Sequence, residues 1–256
     1  MKIAIAQIDI AWRDKGKNFQ KTHELAYLAS NNNCDVLILP ETFNTGFCFD
    51  ESLIEEEGGE TENFLMELSK KLKINILAGY LQRINGKNSN CVKVFSKDGK
   101  TVTSYAKIHL FSLLNEDKFC SAGNSPVTFQ LQEFKCSVFI CYDLRFPEVF
   151  RSVVPSAEVF FIVANWPASR LEHWSCLLKA RAIENQCYVV GVNRVGVDGN
   201  GIQYAGKSAV YDPFGKAIVE GDNREGILFC ELNKRELVKI RKKFPFLKDK
   251  REFLLK

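Results

Sequence analysis

Three side chains, Glu41, Lys107 and Cys141, are of the types that break an amide bond by acyl transfer. A cysteine thiolate is a strong nucleophile when a base or a cation lies beside it. A carboxyl group whose pKa is raised by burial accepts the thiol proton and later delivers it to the leaving amine. A lysine ammonium and the backbone N–H of Tyr142 stabilise the oxyanion of a tetrahedral intermediate. These residues form a complete acyl-transfer set that uses no histidine.

Each of these side chains comes at or near the end of a predicted strand. The run DVLIL leads into Pro40-Glu41, CSVFI leads into Cys141, FFIVA leads into Asn165-Trp166, and Lys107 leaves the strand TVTSYAKI. In α/β proteins, reactive groups gather in the crevice beyond the carboxyl ends of the strands. The sequence therefore predicts that the carboxylate and the thiol share one pocket.

Short apolar strands alternate with helical patterns along the whole chain, which predicts an α/β domain with a mixed sheet and helices covering its faces. Asp98-Gly99 and Asp212-Pro213-Phe214-Gly215 mark two hairpins. The predicted helices cover residues 18–31, 61–72 and 171–185, and the remaining predicted strands cover residues 2–9, 35–39, 74–81, 136–140, 157–165 and 188–193.

Taken one at a time, these residue types also have ordinary structural explanations. A cysteine at a strand end is usually a core residue, and a glutamate after a proline is often a solvated turn residue. A single lysine such as Lys107 is most often a surface charge. Only the joint placement of the three residues favours catalysis over these explanations.

Five sequence blocks strengthen the catalytic interpretation. LPETFNTGF around Glu41, YAKIHLF around Lys107 and CYDLRFPEVFR around Cys141 resemble the signature segments of the nitrilase-type carbon–nitrogen hydrolases. RAIENQCYVVGVNRVG and SAVYDPFG resemble that family's later blocks, in the same order. The combination NWPASR…HWSCLLKARAIENQCYVVGVNRVG is most similar to the omega-amidase subgroup, whose members hydrolyse the terminal amide of 2-oxo-dicarboxylic acid monoamides such as 2-oxoglutaramate.

The resemblance implies a four-layer α-β-β-α sandwich formed by a single hydrolase domain over residues 1–256, and a homodimer. It implies Cys141 as nucleophile, Glu41 as general acid and base, and Lys107 as oxyanion stabiliser. Glu116 matches a second carboxylate of the family, although an exposed loop charge is an equal alternative. Lys207 departs from the subgroup, whose members tend to have an acidic or small residue there. No metal or organic cofactor is implied.

Substrate specificity is expected from cationic and aromatic side chains at the rim of the pocket. Arg145 is a candidate for a bidentate pair with a substrate carboxylate, and an ion pair with Glu148 or an aspartate is an equal alternative. Phe43, Phe47 and Trp166 are candidate apolar walls, although plain packing explains aromatic residues there at least as well.

Composition and charge exclude several other classes of protein. The chain has 256 residues, 46% of them hydrophobic and 26% charged, which is typical of a globular protein. No apolar stretch is long enough for a membrane span, and the first residues read as a strand, so a cytoplasmic location is expected.

The basic excess lies in the tail 234–256, expected to be a solvated helix with an extended end, so no nucleic-acid-binding face is predicted. The nine cysteines contain no C-x-x-C pair that would indicate a zinc site.

One motif points to a different class of function. Residues 201–208, GIQYAGKS, match the phosphate-binding pattern G-x-x-x-x-G-K-[ST]. That loop needs a strand before it and a helix after it. Here Pro213 and Gly215 would stop any helix within two turns, and the alternation predicts a strand and a turn. The sequence thus favours a cysteine-dependent amidase over another amide or nitrile hydrolase, over a nucleotide-binding module and over a catalytically silent binding protein.

Overall fold

The structure of the protein is a computed structural model, and it describes residues 1–251. The last five residues of the basic tail lie outside the described residues, so the extended end predicted there is only partly covered. The single domain predicted over residues 1–256 stays a prediction. No helix among residues 1–251 has the length and apolar character that crossing a membrane requires.

Helices and strands alternate as the sequence predicts, and several bounds match closely. The strands are β1 (Lys2–Gln7), β2 (Val36–Ile38), β3 (Glu55–Glu56), β4 (Asn75–Ile84), β5 (Lys87–Phe95), β6 (Thr101–Ala106), β7 (Thr128–Leu131), β8 (Phe134–Ile140), β9 (Val159–Ala164), β10 (Tyr188–Asn193), β11 (Val195–Val197), β12 (Gln203–Ala205), β13 (Ala209–Tyr211), β14 (Ala217–Glu220) and β15 (Gly226–Glu231). The helices are α1 (Lys15–Asn31), α2 (Glu60–Leu72), α3 (Glu116–Phe119), α4 (Pro147–Ser152), α5 (Leu171–Asn185) and α6 (Lys234–Lys243).

The strands form two large sheets, where the local pattern alone predicts one mixed sheet. The first sheet has the order β15-β1-β2-β4-β5-β6, with β3 beside β4, and β1, β2 and β4 are parallel. The second has the order β14-β13-β10-β9-β8-β7, and β8, β9 and β10 are parallel. Periodicity shows which residues form strands but does not show which strands pair, so the division into two sheets is a tertiary result.

Alternating side chains on the strands bury both faces of each sheet. On β1, Ile3 and Ile5 belong to the core between the sheets, while Ala4 and Ala6 pack in a second core with side chains of α1 and α2. Trp174, on α5, joins the core beneath the second sheet. The order is therefore helices, sheet, sheet, helices. This arrangement confirms the α/β class and the four-layer α-β-β-α sandwich implied by the resemblance.

The basic tail begins with α6, and this helix docks on the second sheet instead of lying free in solvent. Leu237 is fully buried. The Arg241 guanidinium donates hydrogen bonds to the backbone carbonyls of Gln186, Pro155 and Ala157. The predicted solvated helix is present, with Leu237 as its one buried residue, and one apolar and one cationic side chain anchor it.

Candidate active site

Glu41, Lys107 and Glu116 meet at the carboxyl ends of the strands and are fully buried. Glu41 follows β2, Lys107 follows β6, and Glu116 begins α3. The Lys107 Nζ lies 3.0 Å from Glu41 Oε1 and 2.8 Å from Glu116 Oε2. The loop-charge alternative for Glu116 is therefore wrong, because its carboxylate lies with the other two side chains in a single buried cluster.

Neutral donors satisfy the oxygens of both carboxylates. The Asn90 side-chain amide donates to Glu41 Oε1 at 2.8 Å and to Glu116 Oε1 at 2.7 Å. The backbone N–H of Phe111 donates to Glu116 Oε2 at 2.6 Å, and that of Asn165 to Glu41 Oε2 at 2.8 Å. Buried charges persist only when they are paired and hydrogen-bonded, and these contacts meet that requirement. The cluster is consequently held in one geometry.

Lys107 stays protonated in this environment. Burial by itself disfavours the ammonium, but the carboxylates of Glu41 and Glu116 outweigh burial and raise the Lys107 pKa above its ordinary value. A permanent positive charge next to a nucleophile is suited to stabilising a developing oxyanion.

Cys141 follows β8 and lines the same cavity as Lys107. Burial raises the pKa of its thiol well above the ordinary value, the Glu41 carboxylate raises it further, and Lys107 only partly offsets these effects. The resting group is therefore a neutral thiol at neutral pH, and it needs a base to become a nucleophile. Glu41 is the carboxylate that acts most strongly on this thiol and is placed to serve as that base.

Cys141 has a left-handed backbone, with φ of 42°, which a cysteine adopts only where the surroundings enforce it. Asp143, two residues later in the same short helix, holds this backbone in place. Its buried carboxylate accepts hydrogen bonds from Tyr105 Oη at 2.8 Å, from the backbone N–H of His109 at 2.9 Å and from that of Ile140 at 3.0 Å. The strained turn that presents the thiol is thus tied to β6, β8 and the loop after β6.

The backbone N–H of Tyr142 lies in the first turn of the short 3-10 helix Cys141–Arg145. Amides in the first turn of a helix have no acceptor within that helix. This N–H is therefore available, together with the Lys107 ammonium, for a substrate oxygen.

A cavity of about 250 Å³ opens above these groups. Of the predicted substrate-binding residues, Tyr142, Arg145 and Trp166 line it, and Phe43 does not. Phe43 is fully buried under α1 and lies 6.3 Å from the Phe19 ring, measured between centroids. The prediction of Phe43 as a cavity wall is wrong, whereas Phe47, which was predicted with it, lines the cavity. The rest of the lining is Phe111, Leu113, Leu114, Asn165, Pro167, Ser169, Arg170, Ile202 and Tyr204.

Arg145 makes no salt bridge with any carboxylate in residues 1–251, so the alternative of a structural ion pair with Glu148 is wrong. Its guanidinium lies over the Trp166 ring, 4.9 Å from the centroid, and one of its nitrogens lies 3.2 Å from His173 Nδ1. An unpaired guanidinium on a cavity wall is suited to a substrate carboxylate.

Comparison with known proteins agrees with this geometry. A family model described as carbon-nitrogen hydrolase matches residues 2–242. The chain belongs to the carbon–nitrogen hydrolase family. It is 37% identical to the 2-oxoglutaramate amidase of Bacillus subtilis, with 98% of each chain covered. It is 35% identical to omega-amidase YafV of Escherichia coli K12, with 100% of this chain and 98% of the relative covered.

A solved relative has the same fold. This relative is a CN-hydrolase superfamily protein from Xanthomonas campestris, whose crystal structure has an arsenic adduct in the active site. It is 32% identical to this chain, covers 100% of it and 99% of its own length, and superposes with a TM-score of 0.94. This chain therefore has the carbon–nitrogen hydrolase fold, and it is a hydrolase that acts on amides.

The site of this carbon–nitrogen hydrolase contains residues that the sequence interpretation did not select. Asn165 was noted only as a strand end, yet its side-chain amide donates to the Glu41 carbonyl at 2.9 Å and to Thr42 Oγ1 at 2.9 Å. Asn90 and Asp143 are not among the predicted site residues. Position is the only sequence signal for Asp143 and Asn165, which lie just beyond β8 and β9, whereas Asn90 lies within β5, the strand paired with β6.

The segment 201–208 does not form a phosphate-binding loop. Strand β12 lies within this segment, and strand β13, not a helix, follows Ser208 directly. Ser208 is fully buried, and the Lys207 ammonium pairs with Glu220 at 3.0 Å. The strand predicted after this motif, in place of the helix that a phosphate-binding loop needs, is confirmed. Within residues 1–251 no cluster of three or more His, Cys, Asp or Glu side chains is arranged to hold a metal ion.

Proposed function

We propose that this carbon–nitrogen hydrolase is an omega-amidase, which hydrolyses the terminal amide of 2-oxo-dicarboxylic acid monoamides to the acid and ammonia. Its substrates would be 2-oxoglutaramate and 2-oxosuccinamate. The observation that carries the proposal is a single cavity with the Cys141 thiol and the Lys107 ammonium in its lining and an unpaired Arg145 guanidinium beside them. The relatives named 2-oxoglutaramate amidase and omega-amidase support the choice of substrate.

In the first half-reaction, Cys141 Sγ attacks the amide carbon while Glu41 takes the thiol proton. The carbonyl oxygen becomes an oxyanion, stabilised by the Lys107 ammonium and the Tyr142 N–H. When the intermediate collapses, the C–N bond breaks and Glu41 gives its proton to the departing ammonia. The product is a thioester on Cys141.

In the second half-reaction, Glu41 removes a proton from water, and the hydroxide attacks the thioester carbon. The same donors hold the second oxyanion. The C–S bond then breaks, the acid leaves, and Glu41 returns its proton to the sulfur. Glu116 takes no part in proton transfer here and acts as a positioning residue, because its two oxygens hold the Lys107 ammonium.

Arg145 would bind the carboxylate at the far end of the substrate, with Trp166 and Phe47 as walls beside the carbon chain. A linear substrate held at both ends places its amide carbon against the thiol, which lowers the entropic cost of attack. The alternative is another amide or nitrile hydrolase of the same family with a neutral substrate. An unpaired cation on the cavity wall favours the anionic substrate.

The decisive measurement is intact-protein mass spectrometry after brief mixing with 2-oxoglutaramate, combined with an ammonia assay. We expect a covalent acyl adduct mapped to Cys141, and loss of both adduct and ammonia release in Cys141→Ala. Lys207→Ala, at a half-exposed lysine outside the cavity lining, is the matched control and should keep both. Hydrolysis of nitriles or simple amides alone, with 2-oxoglutaramate left intact, would contradict the substrate assignment.

We further propose a homodimer in the cytoplasm. The half-exposed apolar side chains of Ile183 on α5 and Phe214 in the following hairpin support an association surface there. Light scattering coupled to gel filtration should give twice the 29.1 kDa chain mass, and a monomeric mass would contradict the dimer.

A further inference from the structure

A second guanidinium, that of Arg170, lines the cavity together with Arg145. Neither forms a salt bridge within residues 1–251, and no aspartate or glutamate lines the cavity beside them. Lys107, the third cation, is already neutralised by its two carboxylates. Two half-exposed positive charges that face one cavity without acidic partners make this cavity complementary to a molecule rich in anionic or acceptor oxygens.

Aromatic side chains hold both guanidinium groups in place. Arg170 lies over the Phe111 ring, 5.7 Å from the centroid, as Arg145 lies over Trp166. The Trp166 indole N–H also donates to the backbone carbonyl of Arg170 at 2.7 Å, which joins the two supports. Stacking on aromatic rings orients the planar forks of the guanidinium groups before a ligand arrives.

Arg170 also lies next to the catalytic groups. The backbone N–H of Phe111, the residue under its guanidinium, donates to Glu116 Oε2 at 2.6 Å. The Phe111 ring packs against Tyr142, whose N–H is the proposed oxyanion donor, with 5.0 Å between centroids. Arg170 is therefore placed along the substrate, between the reacting amide and the rim of the cavity.

We propose that Arg170 binds the 2-oxo oxygen of the substrate while Arg145 binds the adjacent carboxylate. This inference rests on the proposed function and specifies how the site recognises its substrate class. A carboxylate alone satisfies one guanidinium fork. A 2-oxo acid adds one acceptor in a planar group next to the carboxylate, and this acceptor satisfies the second fork.

Binding by both Arg145 and Arg170 makes the site selective for 2-oxo acids over acids that lack the 2-oxo group. A site built to hydrogen-bond a substrate group discriminates strongly against an analogue without it, because the site's own polar group is then left unpaired. Glutaramate, which has a methylene in place of the 2-oxo carbonyl, should therefore be a much poorer substrate than 2-oxoglutaramate.

The test compares kcat/KM for 2-oxoglutaramate and glutaramate in the wild type, Arg170→Met and Arg145→Met. Arg170→Met should lower kcat/KM for 2-oxoglutaramate about tenfold or more, mainly through KM, and lower it far less for glutaramate, so the selectivity collapses. Arg145→Met should lower both values together. Arg235→Met, an exposed arginine on α6 outside the cavity, is the matched control and should change neither.

Equal losses on both substrates in Arg170→Met would overturn the inference while leaving the proposed function standing. So would unchanged kinetics on both. Failure of the wild type to release ammonia from 2-oxoglutaramate would instead contradict the proposed function itself. Thermal unfolding of each variant checks that a lost activity is not a lost fold.

Discussion

At the scale of single residues, the catalytic chemistry depends on the charges around one sulfur atom. Cys141 is partly buried in the cavity wall beside a carboxylate, and both conditions keep its thiol protonated. Lys107 offsets them only partly, since two carboxylates already surround its ammonium. Glu41 thus has two opposite effects: it raises the pKa of the thiol, and it is the base that removes the thiol proton during attack.

Replacement of Glu41 by Gln should separate these two effects. Loss of the carboxylate charge lowers the pKa of the Cys141 thiol, so iodoacetamide should alkylate Cys141 faster at neutral pH than in the wild type. Amide hydrolysis should fall by about 10²- to 10⁴-fold, because the general acid and base is gone. Peptide mapping of the alkylated protein and an ammonia assay measure the two quantities.

The exposed carboxylate of Glu172, on α5, provides the control, and Glu172→Gln should leave both rates unchanged. Slower alkylation of Cys141 in Glu41→Gln would show that the carboxylate does not suppress ionisation of the thiol.

At the scale of elements, the site exists because strand ends from two stacked sheets meet. Glu41 and Lys107 follow strands of the first sheet, and Cys141 and Asn165 follow strands of the second. The two sheets approach each other closely near Glu41. A Cβ built on Gly79, in β4, would lie 2.8 Å from Glu41 Cα and 3.3 Å from Val163 Cγ2 of the opposite sheet. The missing side chain at this position lets the Glu41 segment fit between the sheets.

Gly79→Ala should therefore move the Glu41 backbone and damage catalysis. Overpacking of this kind costs about 1–3 kcal/mol of stability. A displacement of about 1 Å in a catalytic group costs on the order of 10²-fold in rate. Steady-state kinetics and denaturant unfolding measure both effects. Gly226→Ala, at a strand glycine of the same sheet with open space around it, should be close to neutral in both, and wild-type kinetics in Gly79→Ala would refute the argument.

At the scale of the whole molecule, buried polar contacts fasten the outer helices to the sheets. Glu62 on α2 accepts hydrogen bonds from Lys93 Nζ and Gln82 Nε2 on the first sheet, each at 2.9 Å, and from the Gly58 N–H at 3.0 Å. Burial disfavours its ionisation, but these donors together outweigh burial and lower the Glu62 pKa below its ordinary value. This contact ties the outer helical layer to the sandwich.

Because the folded-state pKa of Glu62 is lower than its unfolded value, its contribution to stability is complete above the unfolded pKa, at about pH 4.3. The contribution is lost as the pH falls from there through the folded pKa. Glu62→Gln should lower the free energy of unfolding at neutral pH by about 1–3 kcal/mol. It should also make the acid loss of stability shallower. Urea unfolding across the acidic range measures both.

Glu67→Gln changes an exposed carboxylate of the same helix and is the matched control, with the wild-type pH profile expected. An unchanged acid profile in Glu62→Gln would show that another group controls the loss of stability.

Local sequence patterns were sufficient for the longer helices and strands but not for short elements such as α3, α4 and β7. Helix α5 and strand β10 match their predicted bounds, residues 171–185 and 188–193. Glu41, Lys107 and Cys141 are recognisable from the sequence through their joint placement after predicted strands and through the resemblance of the surrounding blocks to carbon–nitrogen hydrolases. The phosphate-loop pattern at 201–208 was rejected on the residues that follow it, and local backbone preference was enough for that.

Only the tertiary structure decided which of these side chains touch. How strands far apart in sequence stack decides the division into two sheets, the burial of Phe43 away from the cavity, and the contacts of Asn90, Asn165 and Asp143. A strand's period states which face a side chain occupies, and it carries no information about the element opposite that face. Residue types therefore indicate the chemistry of the site, whereas the geometry of the site depends on the tertiary packing.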